Sequence, residues 1–171
     1  MTYQERINLI KSNHKSPRTF NDYIKYFIFV SPLTFVLIGL LMLFNFFKFQ
    51  TGLPIFLIGL CFISVGTAFG IFTAKRLTQN LIFEEITLVQ NIDIDDIADK
   101  IKVIFKTNNI HIDRKNNVVT AMTKGSAFSW GELITIIKLD NSSILINSRP
   151  NQPATIIKDR QNIKKLKQMF A

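Results

Sequence analysis

Two uncharged apolar stretches lie close together in the first half of the chain: FIFVSPLTFVLIGLLMLFNFF, residues 27–47, and LPIFLIGLCFISVGTAFGIFT, residues 53–73. Each stretch has 21 residues and no ionisable side chain. A helix needs about 20 consecutive apolar residues to cross a hydrocarbon core about 30 Å thick. The pattern therefore predicts two transmembrane helices. A chain of 171 residues has too little other surface to bury both inside a soluble domain.

Basic residues on the outer sides of the pair predict its orientation. They are Arg6, Lys11, Lys15, Arg18 and Lys25 before the first stretch, and Lys75 and Arg76 directly after the second. The short link between the stretches contains only Lys48. Because Lys and Arg accumulate in cytoplasmic segments, we expect residues 27–74 to form a helical hairpin with both termini in the cytoplasm.

Small residues in the second stretch predict close helix packing. They include Gly59, Gly66 and Gly70, and the last two form a GxxxG pattern. Small side chains let membrane helices approach each other closely. These glycines can seat the second helix against the first, or they can drive homo-oligomer formation, and the sequence leaves both open.

The composition changes after residue 74, where regular charges and short β-branched runs predict a cytoplasmic domain, residues 75–171. Residues 1–26 are interpreted as a separate basic cytoplasmic segment. Residues 81–89 are interpreted as a strand, or alternatively as the end of the second membrane helix. Asp93 is a suitable N-cap for a following helix. That helix repeats isoleucine at helical spacing: Ile94, Ile97, Ile101 and Ile104.

Period-two alternation after this helix predicts four more strands. They cover residues 110–113, 118–123, 131–139 and 144–148. Pro150 and Pro153 are expected at the edge of the sheet. A last helix begins at Asp159, and its apolar side consists of Ile163, Leu166 and Phe170. The domain is therefore predicted to be α+β, in the order β-α-β-β-β-β-α, with two helices on one face of an antiparallel sheet.

The soluble part has few residues of the kinds that enzymes use. The single cysteine, Cys61, lies in an apolar stretch, and the histidines are His14 and His111. His111 alternates with Asp113, but no motif ties a nucleophile to this pair, and no P-loop, HExxH or dinucleotide motif is present. We expect no catalytic site, no cofactor and no metal. Nucleic acid is not an expected partner, since aromatic platforms and reader motifs are lacking.

The segment SAFSWGE, residues 126–132, contains the single tryptophan. Trp130 can be an anchor in the core or at the edge of the sheet. Alternatively, a small ligand pocket has its mouth formed by Phe128, Trp130, Glu132 and Arg149. The spacing does not separate these two interpretations.

The segments SAFSWGELITI, residues 126–136, and ILINSRPNQPATIIKDRQNIKKL, residues 144–166, resemble the closing half of small α+β domains in bacterial membrane-anchored proteins of uncharacterised function. The resemblance depends on the order of Ser148, Arg149, Asp159 and Asn162. It implies only an α+β fold and a bacterial origin. Together with the two predicted membrane helices, a bacterial origin leads us to expect a multi-pass protein of the cytoplasmic (inner) membrane. The resemblance implies no reaction.

The net charge of +9 lies almost wholly on the predicted cytoplasmic side. In the last helix, Arg160, Lys164 and Lys167 form a basic stripe beside the apolar side, which can lie against anionic membrane lipid or face water. Two functions are compatible with these features. One is a non-enzymatic accessory or scaffold protein that presents the domain to a protein partner. The other is a ligand-responsive membrane effector or sensor whose hairpin self-assembles.

Overall fold

The computed structural model describes residues 1–20, 22–24, 32–49, 52–124, 131–150 and 160–170. Its helices are α1 (Tyr3–Asn13), α2 (Pro32–Phe49), α3 (Leu53–Gln79), α4 (Ile94–Phe105) and α5 (Arg160–Phe170). Its strands are β1 (Glu84–Thr87), β2 (Ile110–Asp113), β3 (Val118–Met122), β4 (Glu132–Lys138) and β5 (Ser143–Pro150). The chain divides into two compact parts. We name Thr19–Leu77 the apolar unit, and Met1–Arg18 together with Thr78–Ala171 the α+β unit.

The apolar unit contains one helix that is long and apolar enough to cross a membrane. This is α3, which has 27 residues, and only 11% of its most apolar window is buried. A core helix of a soluble protein would be mostly buried. The apolar part of α2 that is described, Thr34–Phe49, is shorter than a span. The sequence predicts a first span from residue 27, but residues 25–31 lie outside the described part. Two spans are expected from the sequence, and the described residues contain one candidate, α3.

The helices α2 and α3 approach closely where two glycines meet. A Cβ atom added to Gly39 would lie 2.6 Å from the carbonyl oxygen of Gly59, and one added to Gly59 would lie 3.1 Å from that of Gly39. Of the three glycines expected to pack helices, Gly59 thus contacts α2 and Gly66 is buried. A Cβ atom added to Gly70 would meet no described atom within 4 Å, so this side of α3 is open.

The α+β unit is built on an antiparallel sheet, as predicted, with five strands in the described part. From β1 to α5 the elements follow each other as β-α-β-β-β-β-α. In space the strands lie in the order β1-β5-β4-β3-β2, which differs from their order along the chain. Strand β5 lies between β1 and β4, but β1 pairs with it only as far as Ile146. At Pro150 the described strand pairing is with β4 alone, so this proline lies at a local edge of the sheet, where its missing N–H is tolerated. Pro153 lies outside the described residues.

Helices α4 and α5 cover one face of this sheet. Asp93 caps α4 by accepting a hydrogen bond from the N–H of Ile94 at 2.8 Å. The buried cluster that joins both helices to the sheet includes Ile97, Ile101, Val119, Ile134, Ile136, Ile146, Leu166 and Phe170. The predicted apolar side of α5 is therefore confirmed, and so is that of α4 except for Ile104, which is partly exposed and outside this cluster.

Helix α1 covers the opposite face of the sheet. Thr2 and Glu5 form a capping box at its start. The cluster on this face contains Ile7, Ile10, Phe83, Val118, Ile137 and Leu145. The sequence predicts a separate segment over residues 1–26, because two isoleucines are too few to produce a recognisable helical period. The structure makes residues 1–18 part of the α+β unit.

Two backbone hydrogen bonds fix the end of α1 beside the start of the sheet. The N–H of Ser16 donates to the carbonyl oxygen of Leu81, and the N–H of Phe83 donates to that of His14, both at 2.8 Å. The α+β unit is therefore discontinuous in sequence, and the apolar unit is an insertion between its two segments.

We expect α1 to contribute directly to the stability of the α+β unit. A protein in which a short Gly-Ser linker joins residues 1–18 to residues 78–171 should unfold cooperatively. Residues 78–171 alone should be less stable, because Val118, Ile137 and Leu145 lose their cover. Burial of one side chain the size of Ile7 or Ile10 is worth about 1.5–3 kcal/mol. Urea denaturation followed by circular dichroism measures the difference.

A matched pair of variants in the joined protein sharpens this test, since Ile10 is 3% exposed and Leu9 is 41% exposed. Ile10→Ser should lower the free energy of unfolding by about 2–4 kcal/mol. Leu9→Ser should change it by less than about 0.5 kcal/mol. Equal stability of the joined and shortened proteins would show that α1 does not pack on the sheet in solution.

Candidate functional site

A cavity of about 140 Å³ lies between α1 and the sheet, within the α+β unit. Its apolar wall consists of Ile7, Ile10, Phe83, Val118 and Leu133. Its polar wall includes Tyr3, Arg6, Ser16, Thr120, Thr135 and Arg149. Small-molecule sites are typically concave and largely apolar, with a few polar groups that orient the ligand. The cavity has this character, and it is the candidate functional site.

The strand register explains why a cavity forms here. Across β3, β4 and β5, one row on the α1 face is apolar and consists of Val118, Ile137 and Leu145. The next row is Thr120, Thr135 and Asn147, and the row after it is Met122, Leu133 and Arg149. Helix α1 packs its isoleucines on the first row. The polar groups of the following rows line the space that remains.

Hydrogen bonds hold the polar wall in place. The Nη2 atom of Arg6 donates to the Oγ atom of Ser16 at 3.0 Å. Asn147 is 1% exposed, and its Nδ2 atom donates to the carbonyl oxygens of Asn80 and Ile82 at 3.2 and 2.6 Å. These bonds connect the floor of the cavity to the segment that precedes β1.

Tyr3 lies half exposed at the margin of the cavity, in contact with Asp113. Burial raises the pKa of Tyr3, and the negative charge of Asp113 raises it further. The pKa of Asp113 is lowered, chiefly by the hydrogen bond that its carboxylate accepts from Asn116 Nδ2 at 2.6 Å. At neutral pH Tyr3 is therefore a protonated donor and Asp113 is charged. His111, which alternates with Asp113 along β2, is exposed.

A second polar cluster is buried on the opposite face of the sheet. Glu132 is 4% exposed, and its Oε2 atom accepts hydrogen bonds from Ser148 Oγ and from Asn162 Nδ2, the latter at 3.0 Å. A buried carboxylate needs donors of this kind to offset its loss of hydration. The cluster joins β4, β5 and α5, and it holds the first turn of α5 on the sheet.

Two of the four residues of the expected pocket, Glu132 and Arg149, lie on different faces of the sheet. Leu133 lies opposite Arg149 in the register, and Glu132 lies opposite Pro150. Because neighbouring residues of a strand point to opposite faces, Glu132 and Arg149 lie on opposite sides of the sheet. Phe128 and Trp130 lie outside the described residues. Arg149 instead lines the cavity with Arg6, Thr120 and Thr135, which the sequence analysis did not select.

The residues that carried the family resemblance are also divided. Ser148 and Asn162 both contact Glu132, whereas Arg149 faces the cavity on the other side. Asp159 lies outside the described residues. Ser148 and Asn162 therefore have a structural role in seating α5.

The basic stripe of α5 is partly engaged within the domain. The Nζ atom of Lys167 lies 2.9 Å from the Oε2 atom of Glu84, whereas Lys164 is exposed. The side chain of Arg160 lies outside the described residues. Within the described ranges, no group of three His, Cys, Asp or Glu side chains could hold a metal ion.

Comparison of the chain with protein-family models, with curated proteins and with solved structures gives no significant match. The function is therefore inferred from the residues and the geometry of this chain.

Glu132→Ala should destabilise the α+β unit more than Glu132→Gln does. Alanine leaves the buried donors of Ser148 and Asn162 without their acceptor, at about 1–3 kcal/mol for each group. Glutamine retains an acceptor oxygen, so we expect about half that loss. Thermal unfolding of the full chain in detergent measures both variants. Glu85→Ala is the control, since Glu85 is exposed. If Glu132→Ala melts at the same temperature as Glu85→Ala, the cluster does not hold α5.

Proposed function

We propose that this protein is a non-enzymatic accessory or scaffold protein of the bacterial cytoplasmic membrane. A hairpin of two spans anchors it, and the α+β unit is presented to a protein partner on the cytoplasmic side. The observation that carries the proposal is that α1, which precedes the apolar helices, and the sheet, which follows them, form one folded unit.

This shared unit constrains the topology of the chain. Residues 1–18 and 78–171 have to lie on the same side of a membrane in order to pack together, so the chain between them crosses an even number of times. Helix α3 is long enough for one crossing. The apolar residues 27–47 suit the other crossing. The positions of Lys and Arg favour the cytoplasmic side for the α+β unit.

The α5 side of the helical layer supports a role in recognition, because it presents positive charge to solvent through Lys164 and Lys165. The charge of α4 is mixed, since it exposes Asp96 and Asp99 beside Lys100 and Lys102. Electrostatic complementarity steers association and excludes wrong partners. The α5 side suits a protein partner with an acidic surface, and it also suits anionic lipid.

The topology is tested by single cysteines at Asn13, Gln50 and Asn141 in a chain in which Cys61 is replaced by serine. In intact cells an impermeant maleimide should label only the cysteine at Gln50, because the other two sites are expected in the cytoplasm. All three should react after permeabilisation. Labelling at Asn13 or Asn141 in intact cells, with Gln50 silent, would reverse the orientation. Opposite results for Asn13 and Asn141 would show a single crossing.

The cavity favours a second candidate function, a ligand-responsive membrane effector or sensor. The helix that lines the cavity, α1, lies before the first apolar stretch in the chain, and residues 14–26 connect the two. The side of α3 at Gly70 is open and suits self-association. In this function a bound ligand would change the packing of α1 and thereby the assembly of the hairpin.

Affinity purification of the full chain from membranes separates the two candidates. The accessory function predicts a stoichiometric second protein whose retention falls when Lys164 and Lys165 are both changed to Glu. The effector function predicts that the chain purifies with itself in a ligand-dependent way, and that Gly70→Leu abolishes this assembly. Gly52→Ala is the matched control, since Gly52 lies outside the helices. A monomeric chain without a partner under all conditions would contradict both.

A further inference from the structure

We propose that the cavity beneath α1 binds a small organic anion, held by Arg6 and Arg149 and seated against Thr120 and Thr135. This inference rests on the second candidate function, and it deepens that function by naming the chemistry of the ligand.

The charge of the cavity is the first argument. Arg6 and Arg149 both line it, and none of its described lining residues is Asp or Glu. Guanidinium groups stay positive at any physiological pH, and their planar arrays of donors match carboxylate and phosphate oxygens. Arg6 comes from α1 and Arg149 from β5, so two distant segments each contribute a cation to one space. Two guanidinium groups that line one space attract an anion placed between them.

The acidic group near the margin of the cavity, Asp113, is hydrogen-bonded to Asn116. Asp113 contacts Tyr3, but its carboxylate accepts hydrogen bonds from the backbone N–H and the side-chain amide of Asn116, at 3.2 and 2.6 Å. Asp113 is not one of the lining residues of the cavity. Asp113 keeps its negative charge, but it lies outside the lining, and Arg6 and Arg149 are the charged residues of the described lining.

Two threonines supply further donors. Thr120 and Thr135 lie opposite each other in the β3–β4 register, on the face that α1 covers. Within the described part of the chain, neither hydroxyl makes a side-chain hydrogen bond. Polar groups under a helix are usually satisfied by protein or water. A ligand oxygen placed over this row would accept from both hydroxyls.

The size and the apolar wall of the cavity define the rest of the ligand. An engineered protein cavity of about 150 Å³ holds one benzene molecule, and the volume here is about 140 Å³. The ligand therefore has roughly six to eight non-hydrogen atoms. Phe83 and Leu133 offer contacts to a short apolar part. A short monocarboxylate or a small phosphate compound fits this description, and a nucleotide is too large.

The test uses the full chain purified in detergent at constant ionic strength. Butyrate and inorganic phosphate are the anionic probes, and butanol and butylammonium are controls of similar size. Either anion should raise the Tm saturably, by about 5 °C or more at high occupancy, because it binds only the folded chain. The two controls should leave the Tm unchanged.

A second comparison identifies the source of the anion. In nanodiscs, phosphatidylglycerol should raise the Tm and weaken butyrate binding if a lipid headgroup enters the cavity. Phosphatidylglycerol should match phosphatidylcholine if the anion is a soluble metabolite. Either result agrees with an anion site, provided that butyrate or phosphate binds in detergent.

Three variants locate the binding. Arg149→Gln should weaken butyrate binding about tenfold or more, as expected for the loss of a charge-assisted hydrogen bond. Thr135→Val preserves the side-chain shape and should weaken it several-fold, so it keeps the test valid if Arg149→Gln fails to fold. Arg114→Gln is the control, because Arg114 is an exposed arginine paired with Asp95 at 2.7 Å. Its affinity should equal that of the unmodified chain.

The inference is overturned if neither anion binds saturably, if butanol raises the Tm as much as butyrate, or if Arg149→Gln and Thr135→Val bind as the unmodified chain does. Binding is measured separately from self-association, so failure of the anion site is distinguishable from failure of the ligand-responsive assembly. Saturable binding without any change in oligomeric state would leave the anion site intact and would reject the ligand-responsive assembly.

Discussion

The packing of α1 on the sheet is the constraint on which the rest of this structure depends. Strands β3, β4 and β5 place apolar side chains on both faces, so the sheet needs a cover on each side. Helices α4 and α5 cover one face. The other face is covered by α1, which precedes the apolar helices in the sequence, whereas the sheet follows them. The backbone bonds of His14 and Ser16 to the segment before β1 place this cover at one end of the sheet. The cavity, the discontinuity of the domain and the topological argument all follow from this arrangement.

The parts of the fold that the sequence predicts are those governed by local spacing. Helix α4 has an Asp cap and isoleucines at helical intervals, and the β2–β3 turn has Asn117 with φ 58°, which asparagine tolerates. Helix α1 was not predicted because it buries only Ile7 and Ile10, and because its partners lie some distance away in the chain. The pairing of β1 with β5 is equally non-local, and no turn signal encodes it.

The candidate site shows the same limit at the level of single side chains. The sequence predicts Arg149 and Glu132 in one pocket, but the two lie on opposite faces, because a difference of one residue along a strand reverses the direction of a side chain. Thr120 and Thr135 were visible as polar residues among β-branched ones. Their alignment depends on the β3–β4 register, and Arg6 joins them only through the packing of α1. A site assembled from four separate elements, α1, β3, β4 and β5, leaves no contiguous motif in the sequence.

The discontinuity of the α+β unit makes its folding a check on membrane insertion. During synthesis α1 leaves the ribosome before the apolar stretches, and β5, the partner of β1, leaves it close to the end. A chain threaded through the bilayer once would hold α1 and the sheet in different compartments, with Ile7, Ile10 and Val118 uncovered. Such a chain would display apolar surface to proteases and chaperones, whereas a correctly threaded chain would bury it. In the proposed two-span topology, the packing of one short helix would thereby distinguish a correctly threaded chain from a wrongly threaded one.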